Sequence, residues 1–104
     1  MIESLKSLFG MGPEVNYSEL VTKGAQIIDV RSKGEYESGH IRGSINIPLP
    51  SLSNQLNRIK KDKPVITCCA SGMRSSTAKS ILQSQGYSQV YNGGGWHGLN
   101  QKLK

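Results

Sequence analysis

Val65-Ile66-Thr67-Cys68-Cys69-Ala70-Ser71-Gly72-Met73-Arg74-Ser75 carries the reading that decides the fold. An apolar, strand-like run over 65–68 enters a loop of small residues. The loop then enters a helix that the spacing predicts over 75–85, with Ala78, Ile81 and Leu82 on its inner face. The first amides of a helix have no partners within it, so a loop at that point can wrap N–H groups around a sulfur atom. The helix dipole and a fixed Arg74 guanidinium would add positive potential and favour thiolate over thiol. Cys69, five residues before Arg74, is the candidate nucleophile.

Outward from this segment, strand and helix signals alternate. Asn16-Tyr17-Ser18-Glu19 resembles a capping box that opens a helix over 17–22, with Leu20 and Val21 facing inward and Lys23-Gly24 closing it. Residues 25–30 read as a buried strand with Asp29 near its end. Ser32-Lys33-Gly34-Glu35 is a second capping box, starting a helix that Gly39 terminates. A short strand over 43–47 is stopped by Pro48 and Pro50, and Leu52, Leu56 and Ile59 stand at helical spacing over 51–59. After the turn at 62–64 and the segment above, Gly86 ends the second half's helix. Residues 89–91 make one more strand, 92–95 a glycine loop and 96–103 a last helical turn or two.

This order predicts an α/β fold with a small central, mostly parallel sheet flanked by helices on both faces. In such sheets the active crevice lies beyond the carboxyl ends of the strands. The Asp29-Val30-Arg31 and 69–74 segments each follow such an end and are expected to meet there.

At 104 residues the chain can build a single core, with 36% hydrophobic and 19% charged residues, a globular profile. The opening Met1-Ile2-Glu3-Ser4-Leu5-Lys6-Ser7-Leu8-Phe9 is too short and too charged for a secretory signal. It reads as an amphipathic extension over 1–12, with Ile2, Leu5, Leu8 and Phe9 on one side, ahead of a domain over 13–104. No run approaches the roughly 20 apolar residues of a membrane span. The net charge of +6 describes a solvated basic surface able to steer anions or an acidic protein partner. No nucleic-acid motif accompanies it. Two adjacent cysteines without an export signal predict a reducing, cytoplasmic setting and no disulfide, because neighbours would close a strained ring. Neither His40 nor His97 stands at metal-ligand spacing from the pair, so no metal is expected.

Taken together, five pieces in order resemble the rhodanese-like sulfurtransferase domain. They are Asp29-Val30-Arg31; Glu35-Tyr36; Gly39-His40-Ile41-Arg42-Gly43-Ser44-Ile45-Asn46-Ile47-Pro48; the 69–75 loop; and Gly86-Tyr87 with 90–96. The resemblance implies that Cys69 takes an outer sulfur from a donor such as thiosulfate or a persulfide, holds it as Cys–S–SH, and yields it to cyanide, a thiol or a protein cysteine, for example on a thioredoxin-like partner. It implies no metal and no organic cofactor. A ring of amides from Ala70, Ser71, Gly72, Met73 and Arg74 would surround the sulfur. Arg74 would hold the loop and offset negative charge on sulfur, Gly72 would permit the turn, and Ser71 and Ser75 would offer hydroxyls or cap the helix. Asp29, Arg31 and Glu35 would brace the loops, Trp96 would pack in the core, and His40 would be a structural hydrogen-bonding residue.

Two positions depart from familiar members: Ala70 stands where many thiosulfate-using relatives carry a basic residue, and Cys68 where an aromatic is frequent. Cys68 reads either as a small buried hydrophobe or as a second thiol that resolves a persulfide. Counted from Cys68, the segment also spells Cys-x5-Arg, the spacing of cysteine-dependent phosphatases and the related arsenate reductases. Thr67 precedes it where those enzymes have histidine, and no general-acid carboxylate lies in the loop. A non-catalytic sulfur-relay or regulatory binding module is the third reading. Gly93-Gly94-Gly95-Trp96-His97-Gly98 satisfies GxGxxG but lies too near the end of the sequence for a dinucleotide fold. These glycines instead predict a close approach to the site or a sharp turn.

Overall fold

Every residue of the strand Val65–Cys69 is buried, as expected of a strand covered on both faces. In the computed structural model, which describes residues 14–104, this strand (β3) lies inside a four-stranded sheet of order β2-β1-β3-β4. β1 is Gln26–Asp29, β2 Ile45–Asn46 and β4 Val90–Gly95, and all pairings are parallel. The chain order reverses between β1 and β3, so the loops leaving these two strands diverge and open a crevice beyond their ends. The amphipathic reading of 1–12 lies outside the described residues.

Alternation along the strands divides the core into two layers. One holds Ile28, Val30, Ile47, Leu52, Val65 and Cys69 against Ala78 and Leu82 of the long helix α3, Met73–Ser84. The other holds Ile27, Ile66 and Cys68 against Leu99 of α4, Trp96–Lys102, with Tyr17 and Leu20 of α1, Tyr17–Thr22, at its edge. Each fully buried Ile or Leu contributes about 1.5–3 kcal/mol to holding these layers on the sheet.

Local signals account for most boundaries. Ser32 caps α2, Lys33–Glu37, with a complete capping box: its side chain accepts from the Glu35 N–H, and the Glu35 carboxylate accepts from the Ser32 N–H. At α1 only half of the expected box forms. Asn16 accepts from the Glu19 N–H, while the Glu19 carboxylate pairs forward with Lys23 at 2.8 Å. Val21, expected inside, is 36% exposed, because a six-residue helix has room to turn only one narrow stripe inward, and Leu20 takes it.

Three further expectations need correction. Residues 51–59 do not form one helix. The chain makes two 3₁₀ turns, Leu49–Asn54 and Leu56–Arg58, with Pro50 set in the first of them, where a missing N–H costs nothing. Leu52 and Ile59 are still buried, since i to i+3 spacing serves a 3₁₀ turn as well as an α-helix. The helix expected from residue 75 begins at Met73. The glycine loop expected over 92–95 is the end of β4, where residues without side chains let the strand run against its neighbours.

Candidate active site

Cys69 is the last residue of β3, and its Sγ sits on the floor of the turn that leads into α3. Gly72 makes that turn possible. Its φ of +105° is left-handed, a conformation that costs glycine little, and it brings the Gly72 N–H to 2.9 Å from Sγ. The Ser75 N–H, in the first turn of α3, points at the same atom from 3.4 Å, and the Ser75 Oγ lies 3.4 Å from it. Helix amides without internal partners are thus turned on a sulfur atom.

The side chain is only 1% exposed, while Ala70 and Ser71 above it are exposed and Met73 is 80% exposed. Burial by itself opposes ionisation of Cys69. The Ser75 hydroxyl and the N–H groups of Ser75, Gly72 and Ser71 outweigh it, and the thiol is held below its ordinary value. The expected ring of amides from Ala70 to Arg74 is in fact a partial cradle whose direct donors are Gly72 and Ser75.

Arg74 makes its side-chain hydrogen bonds to Glu35. Its two terminal nitrogens donate to the two Glu35 oxygens at 2.7 and 2.9 Å, a fork-to-fork pair joining α3 to α2 across the crevice. The pair, with the Ser32 N–H, pulls the Glu35 carboxyl down to about 2. The pair ties the loop to α2 and matches the Arg74 charge with a carboxylate, while the guanidinium still interacts electrostatically with Cys69.

Behind the crevice, Asp29 and Arg31 form a fully hydrogen-bonded buried pair. Arg31 Nε donates to both Asp29 oxygens at 3.0 and 3.1 Å, and its terminal nitrogens reach Asp29, the Gly39 carbonyl at 2.7 Å and the Glu35 carbonyl at 3.2 Å. Trp96 covers the guanidinium at 4.8 Å from its ring centroid. One arginine thus ties the end of β1 to the middle of α2 and to the chain just beyond it. His40 is exposed, stacks on Tyr36 at 3.7 Å, and bonds through Nδ1 to the Tyr36 carbonyl.

Cys68 points into the opposite layer, among Ile27, Ile41, Ile66 and Leu99. Burial first, then the nearby Asp29 charge, pushes its thiol up to about 12. Because adjacent strand residues face opposite ways, the turn that surrounds Cys69 cannot also surround Cys68. A phosphate-binding loop centred on Cys68, the alternative drawn from Cys-x5-Arg spacing, has no geometric counterpart.

Two contributors escaped the sequence reading. The buried Thr67 donates through Oγ1 to the Ser75 carbonyl at 2.8 Å, fixing the first turn of α3 on β3. Asn92 accepts the Ser75 hydroxyl at 2.6 Å and the Gly94 N–H at 2.9 Å, and its own amide lies 3.4 Å from the Gly72 carbonyl. Of the two roles expected of Ser75, hydroxyl or cap, the structure shows the hydroxyl, buried between Asn92 and Cys69. A polar residue ending an apolar strand, just ahead of three glycines, is the signal that could have found Asn92. Those glycines do approach the site: a Cβ on Gly95 would stand 2.9 Å from the Ala70 carbonyl oxygen.

A cavity of about 420 Å³ lies between α2 and the β2 edge, lined by Tyr36, His40, Pro48 and Arg58 among others, and does not include the Cys69 turn. The sulfur is served by a shallow cradle of atomic size. Among the described residues no cluster of His, Cys, Asp and Glu is arranged to hold a metal, and no helix is long and apolar enough to cross a membrane.

Comparison with known proteins agrees with this architecture. The model of the rhodanese-like domain matches residues 13–102. An uncharacterised protein of Bacillus subtilis, YqhL, is 43% identical over 77% of this chain and 64% of its own length. The thiosulfate sulfurtransferase GlpE of Shewanella oneidensis is 32% identical over 75% of this chain and 81% of that protein. Among solved structures, a rhodanese with anions from Escherichia coli superposes with a TM-score of 0.68 at 35% identity, covering 72% of this chain and 91% of that one. The chain belongs to the rhodanese-like family.

Proposed function

We propose that this protein is a sulfurtransferase that moves a sulfane sulfur from a donor to a nucleophilic acceptor through a persulfide on Cys69. The observation that carries the reading is the cradle itself, with the Gly72 and Ser75 N–H groups directed at a sulfur whose ionisation they favour. In the first step the Cys69 thiolate attacks the outer sulfur of the donor. An S–S bond forms on Cys69 as the donor's bond to that sulfur breaks: S–S in thiosulfate or an organic persulfide, with sulfite or a thiolate leaving, and C–S in mercaptopyruvate, with pyruvate leaving as its enolate. In the second step cyanide, a small thiol or a protein cysteine attacks the outer sulfur, and Cys69 departs as thiolate. Dividing the transfer into two displacements lowers each barrier. Fixed N–H donors stabilise the anion without reorganising.

The exposed rim carries no charge in Ala70, Ser71 and Met73, and Arg74 is matched by Glu35, which suits an organic persulfide or a protein partner at least as well as the thiosulfate dianion. A reducing, cytoplasmic setting fits two free cysteines, and a thioredoxin-like protein is a suitable acceptor. Intact mass after exposure to thiosulfate, mercaptopyruvate and glutathione persulfide tests the reading. A gain of one sulfur, mapped to Cys69 and removed by cyanide, is the expected result. No gain with any donor would leave a binding module as the function.

A further inference from the structure

The Ser75 hydroxyl has one hydrogen and three acceptors within reach: Asn92 Oδ1 at 2.6 Å, the Gly72 carbonyl at 3.1 Å, and Cys69 Sγ at 3.4 Å. The shortest contact claims it. Asn92 cannot swap its amide ends to release the hydroxyl, because the Gly94 N–H donates to the same Oδ1 and the Nδ2 end faces the Gly72 carbonyl. With its hydrogen on Asn92, Ser75 Oγ presents a lone pair to Cys69, which suits a thiol that donates S–H and not a thiolate that needs a donor.

We infer that Asn92 is a positioning residue that acts through Ser75: it holds the hydroxyl hydrogen away from Cys69 and thereby sets how readily the sulfur ionises. When the Cys69 proton leaves to solvent, the hydroxyl rotates from Asn92 to the sulfur, and the Gly94 N–H remains to satisfy Oδ1. Tyr17, whose hydroxyl donates to the Asn92 carbonyl at 3.1 Å, anchors this end of β4 from the far layer.

Other groups around Cys69 do not duplicate the device. Arg74 on α3 is held by Glu35 of α2, Cys68 faces the opposite layer, and Asp29 and Arg31 at the end of β1 satisfy each other. The Leu49–Asn54 turn bears no titratable side chain, and the end of β4 beside the loop brings only Asn92 and glycines.

The inference rests on Cys69 as the reactive group, but its test does not need sulfur transfer. The rate of Cys69 alkylation by iodoacetamide, read by peptide mass against pH, gives the ionisation midpoint directly. Asn92→Ala is expected to lower that midpoint by roughly one unit, since the freed hydroxyl gains a charged acceptor. Ser75→Ala is expected to raise it, and adding Asn92→Ala in that background to change it no further. Simple loosening of the loop would raise the midpoint in Asn92→Ala, because amide donors would be lost. A raised or unchanged midpoint, or an equal drop without the Ser75 hydroxyl, overturns the inference. Should Asn92→Ala fail to fold, Asn92→Asp keeps both accepted hydrogen bonds and is expected to raise the midpoint; no rise would count equally against it. If the pattern holds in a protein that never takes up sulfur, the proposed function falls and the role of Asn92 stands.

Discussion

Cys68 and Cys69 are adjacent, chemically identical and almost equally hidden, at 0% and 1% exposure, yet the fold gives them opposite characters. Cys68 faces a layer of isoleucine and leucine with the Asp29 carboxylate nearby, and burial drives its thiol up to about 12. Cys69 faces the turn into α3, where amides and a hydroxyl overcome burial and bring its thiol down. Accessible area does not separate them. What separates them is whether unpaired N–H groups point at the sulfur, which depends on which side of one strand the residue occupies.

The most severe way to probe this contrast is Cys69→Ser, which removes the sulfur that would carry the persulfide. Transfer to cyanide should fall at least about a thousandfold, to background, whereas Cys68→Ser should leave it within a few-fold. Equal losses would erase the distinction. Next in size is Arg74→Ala, which frees Glu35 and loosens the crevice wall without touching the sulfur. Activity should drop roughly ten- to a hundredfold with the circular-dichroism spectrum unchanged, and a fully active variant would remove Arg74 from the argument. Glu35→Gln should resemble it. Because the Glu35 carboxyl titrates near 2, the bridge itself should survive acidification until close to that pH.

A smaller effect is expected on stability. Cys68→Ser places a hydroxyl in the apolar layer and should cost about 1–3 kcal/mol in urea unfolding, with no comparable change in sulfur uptake. The subtlest difference lies in pH dependence. Cys69 favours the thiolate when folded, so its contribution is complete above the unfolded value near 9 and fades as pH falls through the lower folded value. Cys68 favours the thiol, so its contribution is complete below that value and fades as pH rises towards about 12. Unfolding midpoints of Cys68→Ala and Cys69→Ala against pH should therefore diverge from wild type in opposite directions.

Much of this was legible in the chain, and the exceptions share a cause. The strand at 65–68, the capping box at Ser32 and the alternation of elements depend on neighbours close in sequence, and each is found in the structure. The pairing of Arg74 with Glu35 joins residues 39 positions apart, and spacing around Arg74 offered no hint that its charge would be spent there. Asn92 was hidden for the same reason, since its partner Ser75 comes from another element. The glycines over 92–95 look like a loop locally, and it is the approach of Ile66, Thr67 and Leu99 to Gly93 and of Ala70 to Gly95 that explains why a strand would do without side chains there. The 3₁₀ turns at Leu49–Asn54 and Leu56–Arg58 place Leu52 and, just after the second, Ile59 in the core at positions that suit either kind of helix, so periodicity could not choose.

The bare backbone of Gly93 and Gly95 has one more implication. Side chains there would collide with Thr67 and Ala70, so the depth of the sulfur's seat is set by atoms its neighbour lacks. The lip of that seat, formed by Ala70, Ser71 and Met73, lies over the bare backbone of Gly95 and turns its side chains into water. Under the sulfur transfer proposed above, editing these three outward residues would change the partner surface while the seat below keeps its shape.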